Sequence, residues 1–174
     1  DSVKDSLLVI QRMFTRYREL IDSGKESEAK RYQLYAIRLD TSSSIRDVSV
    51  PPLGAPELDM GVNPRLVFIV RNAIDSAWKK WQLPRKWMDS AREWCESIKI
   101  VASGGFSPSK IHRFEKLDVP VDIFAVGSSL FANDGPRVTD FTSDITQVKI
   151  NGEWKAMSKV GRNKGHNPEL ELVT

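Results

Sequence analysis

Apolar side chains recur at steps of three and four residues in four parts of the chain. The first series predicts an amphipathic helix over residues 2–22 that ends at Gly24, with a buried face made of Val3, Leu7, Ile10, Phe14, Tyr17 and Ile21. Pro64, at a favoured first-turn position, begins a second and largely apolar helix. The same spacing predicts two shorter helices, at residues 85–96 and 108–117.

Short apolar runs lie between these helices and predict strands at residues 34–40, 98–102 and 121–126. Strands that alternate with helices favour a parallel sheet with right-handed crossovers, either as an open sheet or as part of a barrel. Residues 25–31 are interpreted as a charged linker. Residues 41–63 have no helical or strand pattern, and so long a connection in a compact domain predicts a lid or a subunit contact.

The pattern changes after residue 135. Residues 145–150 and 153–157 alternate polar and apolar side chains around Asn151-Gly152, which predicts an antiparallel hairpin with a two-residue turn. We therefore divide the chain into residues 1–135, built of parallel βα units, and residues 136–174, which supply the hairpin and a basic, glycine-rich tail.

Composition narrows the class of function. The 174 residues include 26 basic and 23 acidic side chains, and a net charge of +3 is too mild and too evenly spread for a nucleic-acid groove. No apolar run approaches the length of about 20 residues that crosses a bilayer, so no membrane contact is predicted. A single cysteine, Cys95, excludes an intrachain disulfide and is typical of a reducing, cytoplasmic compartment.

Glycines and hydroxyl side chains follow two of the predicted strands. Ser103, Gly104 and Gly105 end the second strand, and Gly127 and Ser128 end the third. Adjacent glycines allow a sharp turn that leaves amide groups uncovered, and two such ends on neighbouring strands are suited to hold a phosphate between them. The other possibility for each is a simple tight turn.

The first predicted strand carries two charged residues at its end, Arg38 and Asp40. A carboxylate at this position is a suitable acceptor for a sugar diol, and a guanidinium can both stack on a flat ring and pair with an anion. The alternative is that the two residues form an ion pair with no ligand, and both interpretations can hold together.

Three motifs at the ends of these strands together carry a family resemblance: residues 38–47 (Arg-Leu-Asp-Thr-Ser-Ser-Ser-Ile-Arg-Asp), 103–106 (Ser-Gly-Gly-Phe) and 127–130 (Gly-Ser-Ser-Leu). In this order they resemble nicotinate phosphoribosyltransferase, a type II phosphoribosyltransferase. The similarity runs from about residue 30 to residue 162 and includes residues 140–145 and 159–162.

The resemblance implies that the parallel βα units form part of an irregular TIM-like α/β barrel and that the hairpin belongs to a second domain. It implies transfer of phosphoribose from phosphoribosyl pyrophosphate to nicotinate in NAD biosynthesis, giving nicotinate mononucleotide and pyrophosphate. ATP is hydrolysed as a co-substrate, and Mg²⁺ accompanies the pyrophosphate.

The resemblance also assigns roles to residues of this chain. It implies that Arg38 lies against the pyridine ring or its carboxylate and that Asp40 accepts the ribose hydroxyls. The 5′-phosphate is then held by the residues of the two glycine-containing ends: Ser103, Gly104, Gly105, Gly127 and Ser128. No catalytic residue and no metal ligand of protein origin is predicted in this chain.

The chain departs from the family pattern in the loop after the first strand. Where the family has a proline after Asp-Thr and an arginine pair after the serines, this chain has Ser42 and Ile45, which leaves Arg46 alone.

A closed barrel needs about eight strands, and only three are predicted here. We therefore expect a carboxyl-terminal part of the enzyme, inactive alone, whose partner is the missing N-terminal half of the same enzyme and which forms a homo-oligomer. Two alternatives remain open: quinolinate phosphoribosyltransferase, whose substrate has two carboxylates, and a non-catalytic phosphate-binding βα module.

Overall fold

The computed structural model describes residues 1–131 and 145–157. The sequence motifs at residues 140–144 and 159–162, and the glycine-rich tail, lie outside these residues. The chain divides into two compact units, Asp1–Leu130 and Phe131–Thr174.

Most of the first unit is helical. Its longer helices are α1 (Ser2–Asp22), α4 (Pro64–Ala77), α5 (Met88–Ser97) and α6 (Pro108–Lys116). Three helices of four residues are α2 (Glu26–Ala29), α3 (Pro56–Asp59) and α7 (Ser128–Phe131), the last of which crosses the boundary between the units. Short 3₁₀ helices occupy Lys30–Tyr32, Trp78–Lys80 and Arg85–Trp87.

The helices predicted from periodicity are confirmed, and side chains cap the first turns of α4 and α6. The Asn63 side chain accepts a hydrogen bond of 3.0 Å from the Leu66 amide at the start of α4, and Ser107 caps α6 in the same way. The interpretation of residues 25–31 as a linker is wrong, because α2 forms there, contacts α1 and buries Ala29.

Three parallel strands form one sheet in the order β1-β2-β3, with β1 at Ala36–Leu39, β2 at Lys99–Ala102 and β3 at Ile123–Phe124. The parallel arrangement is confirmed, and the described strands do not close into a barrel. β3 is shorter than the predicted strand at 121–126. The Asp122 side chain accepts the Ile100 amide at 2.8 Å, so a carboxylate replaces a backbone partner just before β3 begins.

The second unit contains the predicted hairpin. Strands β4 (Gln147–Ile150) and β5 (Glu153–Ala156) pair antiparallel around Asn151 and Gly152. Both turn residues have positive φ, 52° and 86°, as a turn between two right-twisted strands requires.

The core of the first unit joins α1, α4, α5 and the sheet. Phe14 of α1 is 1% exposed and lies among three tryptophan rings, with centroid distances of 5.3 Å to Trp81, 5.4 Å to Trp94 and 6.2 Å to Trp87. This cluster connects α1 to α5 and to the segment between α4 and α5. No helix in the described ranges is long and apolar enough to span a membrane.

Replacing Phe14 by alanine should lower the free energy of unfolding by about 3–5 kcal/mol, because the substitution leaves a cavity against three rings. Leu8→Ala, on the same helix at a side chain that is 46% exposed, is the control and should change it by less than about 0.5 kcal/mol. Urea unfolding followed by tryptophan fluorescence measures both. Equal effects of the two substitutions would show that α1 is not anchored through Phe14.

Candidate functional site

The parallel register brings the ends of the three strands to one edge of the sheet. Leu39 is level with Ala102, and Ala102 is level with Phe124. The chain therefore leaves the sheet at Asp40, at Ser103 and after Phe124 in neighbouring positions. We call this boundary the carboxyl edge, and we call residues 103–106 the glycine turn.

Ser103 joins the ends of β1 and β2. Its amide and its hydroxyl both lie 2.9 Å from the Leu39 carbonyl oxygen, and its hydroxyl lies 2.8 Å from Oδ1 of Asp40. The side chain is buried, and its one hydroxyl hydrogen points to these two acceptors. Ser103 therefore orients the Asp40 carboxylate in this structure.

Gly104 and Gly105 give the glycine turn its shape. Their φ angles are +96° and +65°, a region that other residues adopt only with strain. A Cβ on Gly105 or on Gly127 would meet no atom within 4 Å. Within the described part of the chain, the amides of Gly104, Gly105 and Gly127 donate to no acceptor. Three amide donors at the carboxyl edge are thus without an acceptor among the described residues.

Phe106 anchors the far side of the glycine turn. Its ring is 1% exposed and lies 5.0 Å from Phe114 of α6 and 5.2 Å from Phe124 of β3, measured between centroids. Its carbonyl accepts a hydrogen bond of 2.7 Å from the Ser129 hydroxyl, two residues after Gly127. The glycine turn is therefore fixed at both ends and attached to the loop that follows β3.

Arg38 and Asp40 lie on the same face of β1, since residues two apart on a strand share a face. Arg38 Nη2 is 3.2 Å from Asp40 Oδ2, and the side chains are 62% and 52% exposed. The ion pair considered from the sequence is thus present. A carboxylate offers about four acceptor positions, of which Ser103 and Arg38 use two, so Asp40 keeps enough to accept two hydroxyl groups.

A hollow of about 360 Å³ lies between β1 and the start of α1 and includes Arg38 and Asp40 in its lining. Asp1, Asp5 and Asp47 also line it, so acceptors for hydroxyl groups are available there. A larger hollow, about 670 Å³, lies before the first residues of β1 and β2 and is lined by rings such as Tyr17 and Trp94. None of the residues predicted to bind a ligand lines that hollow.

The connection between β1 and α4 is held in place by two buried carboxylates. Asp47 accepts hydrogen bonds from the amide and hydroxyl of Ser2 at 3.1 and 2.6 Å, and from both donors of Ser49. Asp59 accepts the amide of Leu53 at 2.8 Å and pairs with Arg65 at 2.6 Å. The connection is thus tied at two points, and its role as a lid or a subunit contact stays a prediction.

Two details of this connection differ from expectation. It is not wholly irregular, because α3 forms in it and Arg46 makes an isolated antiparallel bridge with Met60. The Arg46 guanidinium, the single arginine left where the family has a pair, donates to the carbonyls of Asp47 and Val50. Arg46 thus stabilises its own loop.

The sequence analysis missed Lys110, whose ammonium lies 2.9 Å from the Gly104 carbonyl oxygen. A usable signal was present: Lys110 is the third residue of a helix that begins just after the two glycines, a position from which a long side chain reaches back to the preceding turn. It also missed Asp47 and Asp59. No local pattern distinguishes these from other loop carboxylates, since their partners are set by the tertiary fold.

Asp47→Asn should lower the free energy of unfolding by up to about 2 kcal/mol at pH 7. Burial by itself would raise the pKa of the Asp47 carboxyl, but hydrogen bonds from Ser2 and Ser49 outweigh it and lower the pKa from 3.8 to about 2. Because the folded value is the lower one, this stabilisation is complete above about pH 4 and is lost as the pH falls towards about 2.

Urea unfolding of wild type and Asp47→Asn at pH 7 and pH 3 measures this dependence. The free energies of unfolding of the two proteins should differ about half as much at pH 3 as at pH 7. Asp89→Asn, at a side chain that is 89% exposed, is the control and should show little effect at either pH. If wild type and Asp47→Asn differed equally in free energy of unfolding at both pH values, the lowered pKa of the Asp47 carboxyl would be contradicted.

The chain was compared with protein families, curated proteins and solved structures. No protein-family model, no curated protein and no solved structure matched this chain. What the edge binds is therefore argued from the donors, acceptors and charges that it presents.

Proposed function

We propose that the chain carries the phosphate and ribose subsites of a nicotinate phosphoribosyltransferase. The enzyme would form nicotinate mononucleotide and pyrophosphate from nicotinate and phosphoribosyl pyrophosphate, coupled to ATP hydrolysis. The observation that carries the proposal is the set of unused amides at Gly104, Gly105 and Gly127, on adjacent strand ends beside Asp40.

The 5′-phosphate is assigned to the space in front of these amides. Backbone N–H groups that converge from two loops form an anion-binding concavity, and they need no charged side chain to do so. The exposure of Gly104, Gly105 and Gly127 leaves room for a ligand, and the attachments through Ser103 and Phe106 hold the two ends of the glycine turn without one.

The ribose is assigned to Asp40. Its two remaining acceptor positions match the two hydroxyls of a ribose, and the Ser103 hydroxyl keeps the carboxylate from rotating. We therefore give Ser103 the task of orienting Asp40, in place of the direct phosphate contact expected from the sequence.

The pyridine is assigned to Arg38. Its guanidinium is largely exposed and uses one edge for Asp40, so other N–H groups remain for the nicotinate carboxylate. Quinolinate carries a second carboxylate and would need another cation here. Arg46 lies in the connection that leaves this end of β1, but it is bonded to its own loop. This favours nicotinate over quinolinate.

The reaction assigned here requires charge placement and no covalent protein intermediate. A ribosyl cation-like transition state is stabilised by a nearby carboxylate, and the departing pyrophosphate by donors held in position. No group of three His, Cys, Asp or Glu side chains in the described residues is arranged to hold a metal ion. We therefore assign the Mg²⁺ of the pyrophosphate no protein ligand here. We further propose that the sheet forms part of an α/β barrel.

Gly105→Ala should weaken binding of nicotinate mononucleotide about tenfold or more, because the added methyl group enters the space assigned to the phosphate. Gly24→Ala is a matched control, since Gly24 has a φ of +72° and equally open space but lies at the end of α1. Both variants should lose about 1 kcal/mol of stability from backbone strain.

Isothermal titration calorimetry of the 174-residue chain measures the affinities, and urea unfolding checks that the two variants are equally folded. If Gly105→Ala bound the nucleotide as tightly as Gly24→Ala, the glycine turn would not be the phosphate site.

Asp40→Asn should weaken binding of nicotinate mononucleotide about tenfold while leaving the affinity for inorganic phosphate equal or slightly higher, because it removes a negative charge near the anion. Asp89→Asn is the control, because it also removes one carboxylate but at an exposed side chain in the first turn of α5. It should change neither affinity. Calorimetric titration with each ligand separately makes the comparison.

The same titrations distinguish the alternative functions. Binding of phosphate with no preference for the nucleotide, in wild type and Asp40→Asn alike, would support the non-catalytic phosphate-binding module. Preference for quinolinate mononucleotide over nicotinate mononucleotide would support the quinolinate enzyme.

A further inference from the structure

Lys110 makes two contacts with the glycine turn, and both are short. Its ammonium lies 2.9 Å from the Gly104 carbonyl oxygen and 4.3 Å from the centroid of the Phe106 ring. The second distance is well within the range of a cation–π interaction. A flexible side chain with four rotatable bonds is thus held against one small segment of backbone.

The Lys110 ammonium has no carboxylate partner within the described ranges. Burial lowers its pKa, and no neighbouring charge contributes to the shift. The contacts of the ammonium in these ranges are with one carbonyl group and one ring, and both belong to the glycine turn.

The peptide between Gly104 and Gly105 is the group that this contact orients. In a trans peptide the C=O and the following N–H point in opposite directions, and this chain has no cis peptide bond among the described residues. When the Gly104 carbonyl points to Lys110, the Gly105 amide must therefore point away from it.

Such a contact is needed because the peptide lies between two glycines. Glycine adopts positive and negative φ with similar ease, so a peptide flanked by two of them turns over at little cost. The attachments at Ser103 and Phe106 fix the two ends of the turn but not the orientation of the peptide at its centre.

We propose that Lys110 is a positioning residue that holds the Gly104 carbonyl and thereby keeps the Gly105 amide directed at the bound phosphate. Its ammonium lies behind the peptide and does not itself contact the phosphate. The identity of the ligand rests on the proposed function, whereas the orientation of the peptide can be tested without any ligand.

The first measurement uses the free 174-residue protein. Lys110→Met should lower the ¹⁵N order parameter of the Gly105 amide from about 0.85 to below about 0.6, as the peptide becomes free to turn over. Lys116→Met, which removes the same charge from the last turn of α6, should leave it unchanged. The Gly127 amide serves as an internal reference and should not respond to either substitution.

The second measurement is the affinity for nicotinate mononucleotide by calorimetry. Lys110→Met should weaken it about tenfold relative to Lys116→Met, the scale of one misdirected hydrogen bond to a charged group. Equal weakening by the two variants would mean that only the charge matters, and would overturn the proposal.

An unchanged order parameter at Gly105 in Lys110→Met would also overturn it, whatever the affinity. If the wild-type chain bound no nucleotide but Gly105 still loosened in Lys110→Met, the orienting role of Lys110 would stand and the proposed function would fall. Urea unfolding midpoints of the two variants show whether a general loss of stability accounts for either result.

Discussion

The candidate site depends on the register between β1 and β2. With Leu39 level with Ala102, Ser103 reaches the Leu39 carbonyl with both its amide and its hydroxyl, and the same hydroxyl meets Asp40. A shift of one residue would turn every side chain of the strand to the other face of the sheet and separate these groups. The carboxylate, the glycine turn and the loop after β3 are neighbours because this pairing holds.

The glycine turn shows how a flexible sequence is given a definite geometry. Gly104 and Gly105 have no side chains with which to fix their own position, and glycine has the largest conformational entropy to lose on folding. Ser103 on one side and the buried ring of Phe106 on the other restrain the two ends of the turn. The glycine turn is thus supported by an aromatic cluster that is itself part of the hydrophobic core.

The sequence predicted those parts of the fold whose signal is local. The periodicity of α1, the start of α4 at Pro64 and the turn at Asn151-Gly152 each have a physical cause within a few residues, and all three were found. The prediction was wrong where a distant contact decided the outcome. α2 forms in a charged stretch where it contacts α1 and buries Ala29, and β3 starts late because the Asp122 carboxylate takes the Ile100 amide.

The same distinction explains the site. Asp40 and the glycines could be found because strand ends are visible in sequence, whereas the attachment of Ser103 to Asp40 and of Lys110 to Gly104 requires the tertiary fold. These attachments also limit the charge available to a ligand. Arg38 and Asp40 neutralise each other, and the ammonium of Lys110 is turned towards a carbonyl. Among the residues that the structure describes, the carboxyl edge therefore offers an anion chiefly backbone dipoles.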